Sequence, residues 1–552
     1  MAPTVTQLSA KLKTGSKKMS PPTRGTQSGQ VQSGNANTDH LEWNAMLEGV
    51  ADYSSLNFSG AGCKQNGALK FHLQLPEGLT QVEWVSLSAP EAIFSTANDP
   101  SSEKVDELKL TLQNVDVSES NQILTAYMMV SWNENAIAAG TELTIKVKGE
   151  QDEPWTKVKT VGEGGFTIEG GKVTSLKLNN ADWDEPMFWG GDGTESTPYL
   201  IKTVQHMRNM NDLISSHAGA SKLYFKLVDD IDMSSVSDWQ YKNNSASNNW
   251  PIDFDGNNKT VSNFSMTRYS ASLFGFVCGS VHDVIFKDAV ITAGEDKTSG
   301  LLAYQAGNGT TACSISNITV NGLAVTGGTG STGGLVGTLV NATVRDCTVN
   351  GLTLTGSGYA GGIAGNMSTA VSTISGCTVS GASISSSANG VGGILGYVSV
   401  EGASVTNCHF LKDDDAASVG GNAAVGGILG RGTSTTVSGC NAEGTISASG
   451  TYSTNEAYSL AGGIVGRSDS GTVQNCSFDN GSVTGTDRTG GIAGANLTGA
   501  GNYSNCTVGS HVTINGGTIT GGILGRNHNQ GTIVSYCDVK ANFSETSQRN
   551  CI

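Results

Sequence analysis

A five-residue frame, Gly-Gly-(Ile/Leu)-x-Gly, starts at Gly333, Gly361, Gly392, Gly426, Gly462, Gly490 and Gly521. A cysteine stands 14 or 16 residues after each start, at Cys347, Cys377, Cys408, Cys440, Cys476, Cys506 and Cys537. The frames lie 28 to 36 residues apart. A spacing that varies only between fixed elements means one structural coil repeated, with insertions confined to its turns. Helical repeats of this length would carry apolar residues at i, i+3, i+4 and i+7 and little internal glycine, and no frame does so. In the unit from Gly462, Gly463-Ile464-Val465, Thr472 to Phe478 and Ser482-Val483-Thr484 read instead as three short strands. Three strands make one turn of a parallel β-helix of coils of about 30 residues. A lone coil cannot bury enough apolar surface to order its chain, so stacking supplies the contacts and pairs the strand edges. The open ends then need a cap or a flanking domain.

The 74 glycines among 552 residues, with few aromatics, suit a solenoid better than a large close-packed globule. A net charge of −16 argues against nucleic acid or an anionic membrane as partner, because phosphate contacts need clustered Lys and Arg. No apolar stretch is long enough for a transmembrane helix. Residues 1–40 are polar, contain Lys11, Lys13, Lys17 and Lys18, and lack the apolar segment of a complete signal peptide. They read as a disordered leader or tether. One cysteine per coil at a fixed place predicts a ladder of buried free thiols, which Cys278 and Cys313 should extend, with Cys63 and Cys551 outside it. Paired Cys-x-x-Cys motifs and Cys/His clusters are absent, so neither metal nor cofactor is expected.

Residues 41–182 differ in texture. Leu69 to Leu75, Leu108 to Leu112, Leu143 to Val147 and Val173 to Leu178 alternate apolar with polar at period two, which predicts an antiparallel β-sandwich of about seven to nine strands. Trp84, Tyr127, Trp132, Trp155 and Phe166 are its expected buried aromatics. Between residues 183 and 270 lies the one clear helix candidate, Thr203 to Ser216, with Val204, Met207, Met210 and Leu213 on one face. It would cap the solenoid, with His206 and His217 at the surface. Coils then run over 271–541, and 542–552 form a short tail.

Two resemblances sharpen this picture. Ile123 to Val130, the Gly140 to Val147 strand and Gly165 to Val173 resemble the closing strands of a fimbrillin-type domain of Bacteroidetes. The Gly-Gly-(Ile/Leu)-x-Gly units with their cysteines resemble the GLUG repeat of bacterial surface proteins. Before them, Gly190 to Thr194, Pro198 to Ile201, Leu227 to Met233, Trp250-Pro251-Ile252, Phe254 to Asn257 and Ser272 to Gly275 resemble the usual lead-in to that array. The resemblance implies a right-handed parallel β-helix on a cell-surface or secreted protein that serves adhesion.

Catalytic signatures are missing: there is no His-Glu-x-x-His, no Gly-x-Ser-x-Gly elbow between strand and helix, and no phosphate-binding Gly-x-x-x-x-Gly-Lys. Asp229, Asp230, Asp232, Asp253 and Asp255 are the nearest carboxylate candidates for a carbohydrate-active β-helix enzyme, and they read more simply as turn and ladder residues. Ligand binding points to the longest turns, Leu411 to Ala424 and Ala448 to Leu460. Side by side on one edge, these would bring Lys412, Asp413, Asp414 and Asp415 next to Tyr452, Glu456 and Tyr458. Tyrosine faces suit sugars, and carboxylates accept sugar hydroxyls or hold calcium. The residue after each frame, Thr338, Asn366, Tyr397, Arg431, Arg467, Ala495 and Arg526, is expected to point outward and varies freely. The chain is therefore expected to be an all-β, noncatalytic adhesin or fimbrial tip component that meets a host or neighbouring-cell glycan or protein. Fimbrial subunits would join through its first domain. A β-helix enzyme and a structural spacer are the rivals.

Overall fold

The computed structural model describes residues 31–36, 50–52, 57–59, 66–76, 79–95, 104–117, 122–131, 136–168, 173–179, 183–217, 221–237, 239–242, 251–294, 297–413, 417–450 and 459–544. The protein is nearly all β, with 57% strand and 3% helix, and it divides into two compact units, Met1–Gly190 and Gly191–Ile552.

The first unit holds a five-stranded sheet in the order Val31–Ser33, Glu107–Asp116, Gln81–Ser88, Glu142–Gly149 and Trp155–Thr160. A three-stranded sheet runs Val173–Leu178, Asn66–Gln74, Ile123–Ser131. Most pairings are antiparallel, as period-two alternation requires, but Val31–Ser33 and Val173–Leu178 add to their sheets in parallel. The leader expected over 1–40 thus gives a strand to the fold from Val31 onward. Buried Gln32 explains why: its Oε1 accepts from Tyr127 N at 2.8 Å, and its Nε2 donates to Thr125 O at 3.0 Å. Tyr127 and Trp155 are buried as expected, whereas Trp84 is half-buried under the Lys109 ammonium, 3.9 Å from the ring centroid. Trp132 lies outside the described residues.

The second unit is a parallel β-solenoid of about 10 turns of roughly 31 residues. Strand boundaries fall differently from the three-strand expectation. In the coil from Gly462 they are Leu460–Gly462, Val465–Asp469, Thr472–Gln474 and Ser477–Gly485. Gly463 and Ile464 make a turn, and the run Thr472 to Phe478 breaks at Asn475, whose φ of +54° turns the corner. Asn407, Gly439 and Asn505 occupy the same corner with positive φ, the region that Gly and Asn enter at least cost. Each ladder cysteine follows this corner residue, so it sits at the corner and not within a strand.

Inward rows build the core. Phe225, Phe254, Val281, Ile315, Val344, Ile374, Val405, Val437, Val473 and Tyr503 are successive register partners, and each is buried. Their outward neighbours are mostly Ser and Thr, which suit a half-solvated sheet. All nine described cysteines are free and eight are buried. Cys278 and Cys313 do not extend the corner ladder. Val284 and Ile318 take that place in their coils, while Cys313 pairs in register with Ala342 on the adjoining sheet.

The helix spans Val204–Ser216, with Thr203 as its N-cap. His206 is fully buried, because its Nδ1 accepts from Lys202 N at 3.1 Å and Thr203 N at 3.3 Å and so closes the capping box. This corrects the surface placement expected for it. The buried face is Met207, Met210, Asn211 and Ile214, rotated from the expected Val204 and Leu213. Met210 and Ile214 line one small cavity with Trp239, Ile252, Leu273 and Phe274 of the first coils. At the far end, Asn542–Phe543 still pairs with Thr513 and Ile514, so the solenoid reaches past 541.

Candidate functional site

Three parallel strands, Leu223–Leu227, Pro251–Asp255 and Phe276–His282, place charged side chains in two outward rows. Tyr224, Asp253 and Ser280 form one row; Lys226, Asp255 and His282 form the other. Between them lies the densest electrostatic cluster of the described solenoid. Lys222 Nζ donates to Asp253 Oδ2 at 2.7 Å, and Ser280 Oγ donates to the same oxygen. His282 Nε2 meets Asp253 Oδ1 at 3.1 Å, and its Nδ1 meets Asp283 Oδ2 at 2.7 Å. Lys226 pairs with Asp255 at 2.9 Å, and Asn317 donates to Asp283 Oδ1 at 2.9 Å.

This network decides what the cluster can do. Burial works to raise the Asp253 carboxyl, but the bonds from His282, Lys222 and Ser280 outweigh it and hold the group below the usual carboxylate range. The Asp253 bond, with help from Asp283, pushes His282 up to about 9. Acid–base catalysis near neutrality wants a group poised near the working pH, and these two are driven apart from it. Asp255, His282 and Asp283 bring one ligand atom each within 4.8 Å of one another, the spacing of a cation site. An ion there would have to displace the His282 proton and compete with Lys226.

One outcome is expected directly. The folded pKa of His282 lies above its unfolded value, so its stabilisation is complete below about pH 6.5 and is lost as pH rises through about 9. Denaturant melts of wild type minus His282→Gln should show a difference on the order of 3 kcal/mol at pH 6 that shrinks towards zero by pH 10. A pH-independent difference would remove the imidazolium from the picture.

The other carboxylates named from sequence are held by backbone N–H groups and a ladder asparagine. Asp230 Oδ1 accepts from Thr260 N at 2.8 Å, and Asp232 Oδ1 accepts from Asn263 Nδ2 at 2.8 Å and Ser234 N at 2.9 Å. Lys222, Ser280 and His282 were missed, although the coil period is their signal: each stands 27 to 31 residues from Asp253.

Among the long-turn residues, Asp413 is exposed; Asp414, Asp415, Tyr452, Glu456 and Tyr458 lie outside the described residues. The chain leaves the coil at two different places. One departure, after His409–Leu411, rejoins at Ser418–Gly421, and the other, after Asn441–Ala448, rejoins at Leu460–Gly462. The two stretches meet at one corner, where Gly450 N donates to Asn422 O at 2.9 Å, while Lys412 and Asp413 leave the coil one strand earlier, ahead of Ser418–Gly421.

The residues after the frames do share one row, since Thr338, Asn366, Tyr397, Arg431, Arg467, Ala495 and Arg526 are successive register partners. They are not all outward: Arg467 and Ala495 are buried. Tyr397 stacks on Tyr359 with centroids 4.4 Å apart, and the Arg431 guanidinium lies 5.5 Å from the Tyr397 centroid. Arg467 Nε donates to Asp469 Oδ2 at 2.7 Å.

No protein-family model matches the chain. Halomucin of Haloquadratum walsbyi is 31% identical over 118 residues, which are 20% of this chain and 1% of halomucin. A proposed Gly-rich membrane protein of Evansella cellulosilytica is 29% identical over 97 residues, 17% of this chain and 10% of that protein. The chain thus matches only a small part of the length of these curated relatives. Among solved structures, a proposed immunoglobulin A1 protease from Bacteroides ovatus aligns over 64% of this chain and 87% of its own, at 22% identity and a TM-score of 0.37. An IgA1 protease aligns over 88% of this chain and 31% of its own, at 14% identity and a TM-score of 0.31.

Proposed function

We propose that the protein is a noncatalytic adhesin of the cell surface or secreted space, whose solenoid presents a binding surface to a glycan or protein. One observation carries this: the register row that follows the repeat frames holds half-exposed Tyr397, Arg431 and Arg526 where other outward rows hold mostly Ser and Thr. The saturated ion pairs around Asp253 and His282 weigh against an acid–base enzyme at that cluster. No helix among the described residues is long and apolar enough to cross a membrane. We read the repeats as GLUG-like and the first unit as fimbrillin-like, coupled to a pilus by strand addition. Support for the coupling is an open cavity of about 270 Å³ lined by Leu69, Leu143, Ile145 and Leu176, beside the edge strands Trp155–Thr160 and Val173–Leu178.

The test is a glycan and extracellular-matrix array probed with the full chain and with its Tyr452→Ala/Tyr458→Ala variant. Wild type is expected to retain a discrete set of ligands, with at least a tenfold loss in the variant if the long turn contributes. Retention by both would move the site off that turn. Depolymerisation of any arrayed polysaccharide would favour the enzyme, and the absence of binding to every ligand would favour the spacer.

A further inference from the structure

Three metal-ligating atoms converge on the first coils of the solenoid. His282 Nδ1 lies 2.7 Å from Asp283 Oδ2 and 3.9 Å from Asp255 Oδ1, and the three atoms fall within 4.8 Å of one another, the one such grouping among the described residues. Asp255 and His282 are register partners on adjacent strands, and Asp283 follows at the corner with a φ of +56°. The hydrogen-bonded ladder therefore fixes two of the groups a rung apart, and a tight corner fixes the third. Atoms bound to a common ion at about 2.1 Å lie about 3–4 Å from each other, so these groups stand close to the required spacing before any ion enters.

The way their other atoms are held separates these residues from a chance cluster of charges. His282 Nε2 faces Asp253 Oδ1 at 3.1 Å, and Asp253 is itself anchored through Oδ2 by Lys222. Asn317 Nδ2 donates to Asp283 Oδ1 at 2.9 Å, and Lys226 holds Asp255 Oδ2 at 2.9 Å. In each of the three residues, the heteroatom turned away from the convergence is tied by a residue outside the group, while the other faces its two companions. A carboxylate behind a histidine fixes the ring and its tautomer and strengthens the opposite nitrogen as a metal ligand. The three side chains are 25 to 34% exposed, so ions and water reach them.

We infer that Asp255, His282 and Asp283 form a three-ligand site for a divalent transition cation of the Zn²⁺ class, with water completing its coordination. The inference is independent of the adhesin function proposed above. Entry of the ion releases the Nδ1 proton of the imidazolium to solvent and leaves the Nε2 proton on the bond to Asp253. That exchange selects the metal. Ca²⁺ and Mg²⁺ take oxygen ligands and gain little from a freed imidazole, whereas Zn²⁺, Co²⁺ and Ni²⁺ accept imidazole nitrogen and carboxylate oxygen together. Lys226 competes for the charge of Asp255 but holds its other oxygen, so it orients the carboxylate and leaves Oδ1 to the ion.

The full chain, reduced and freed of metal, would be titrated with Zn²⁺, Co²⁺ and Ca²⁺ near neutral pH. Wild type is expected to bind one Zn²⁺ about tenfold or more tighter than Asp283→Asn or Asp255→Asn does, and to prefer Zn²⁺ to Ca²⁺ by a similar factor. Asp283→Asn should fold, because Asn317 and Asn475 occupy the same corner of their coils with positive φ. Asp346→Asn, the same change at that corner two coils further on, should leave the affinity unchanged. Bound Co²⁺ should show weak visible bands without a thiolate charge-transfer band, since its protein ligands are nitrogen and oxygen. A thiolate band that disappears in Cys537→Ser would put the metal on the half-exposed end of the cysteine ladder and overturn the site. Wild-type Zn²⁺ affinity in both aspartate variants, Ca²⁺ binding as tight as Zn²⁺, or the absence of stoichiometric binding would each overturn it as well.

Discussion

Gly396→Ala is expected to destabilise the solenoid by more than about 4 kcal/mol, which should be visible as a large drop in the denaturant midpoint. Gly396 is the last glycine of its frame, and an added Cβ would lie 2.5 Å from Gly365 O, 2.7 Å from Ala360 N and 2.8 Å from Ala360 O. All three atoms are backbone of the preceding coil. They can yield only by shearing Ala360–Gly361 and Ala364–Met367 out of their ladders, so relief by side-chain rotation is closed. Gly365, Gly430, Gly466, Gly494 and Gly525 meet backbone atoms of other strands equally closely, so the frame is a backbone-on-backbone corner repeated along the axis. Gly420→Ala is the matched control. Nothing lies within 4 Å of its added Cβ, and the change should fall within about 0.5 kcal/mol of wild type or stabilise slightly. If Gly396→Ala also stayed within about 1 kcal/mol, the tight corner would be refuted.

Asp469→Ala should cost about 3–5 kcal/mol, the second large effect. The carboxylate is 2% exposed and receives three bonds: Arg467 Nε at 2.7 Å, Leu497 N at 3.1 Å and Thr498 N at 3.2 Å. Alanine would strip a buried guanidinium of this anion and orphan two backbone donors in the following coil, each loss being costly in a dry site. Asp469→Asn keeps an acceptor for the two N–H groups and should cost less. In Asp469→Ala/Arg467→Met the buried charge is gone as well, so part of the loss should return, and the double-mutant cycle would report coupling of about 1–3 kcal/mol. Additive losses would mean that Asp469 serves the Leu497–Thr498 turn alone. Stability measured by urea unfolding checks all three variants, with unchanged m-values required before the differences are compared.

The sequence alone determined the solenoid. Glycines that only a backbone-tight corner needs, one cysteine per coil and a variable residue after each frame all recur at one period, because stacking repeats the same local environment in every coil. The two-unit texture and the helix near 203–216 were legible for the same reason: period two and period 3.6 are written in neighbouring residues. What the tertiary structure decided were matters of register and burial. His206 reads as a surface histidine until Lys202 N and Thr203 N are seen to bond it. Gln32 looks like tether until its amide meets Tyr127 and Thr125 across the sheets. Cys313 fits the cysteine spacing yet pairs with Ala342, because Ile318 already fills the corner of its coil. The cluster of Lys222, Asp253, Ser280 and His282 and the contact of Tyr397 with Arg431 join residues about a whole coil apart. Coil lengths vary with their turns, so only the hydrogen-bonded ladder shows which side chains become neighbours.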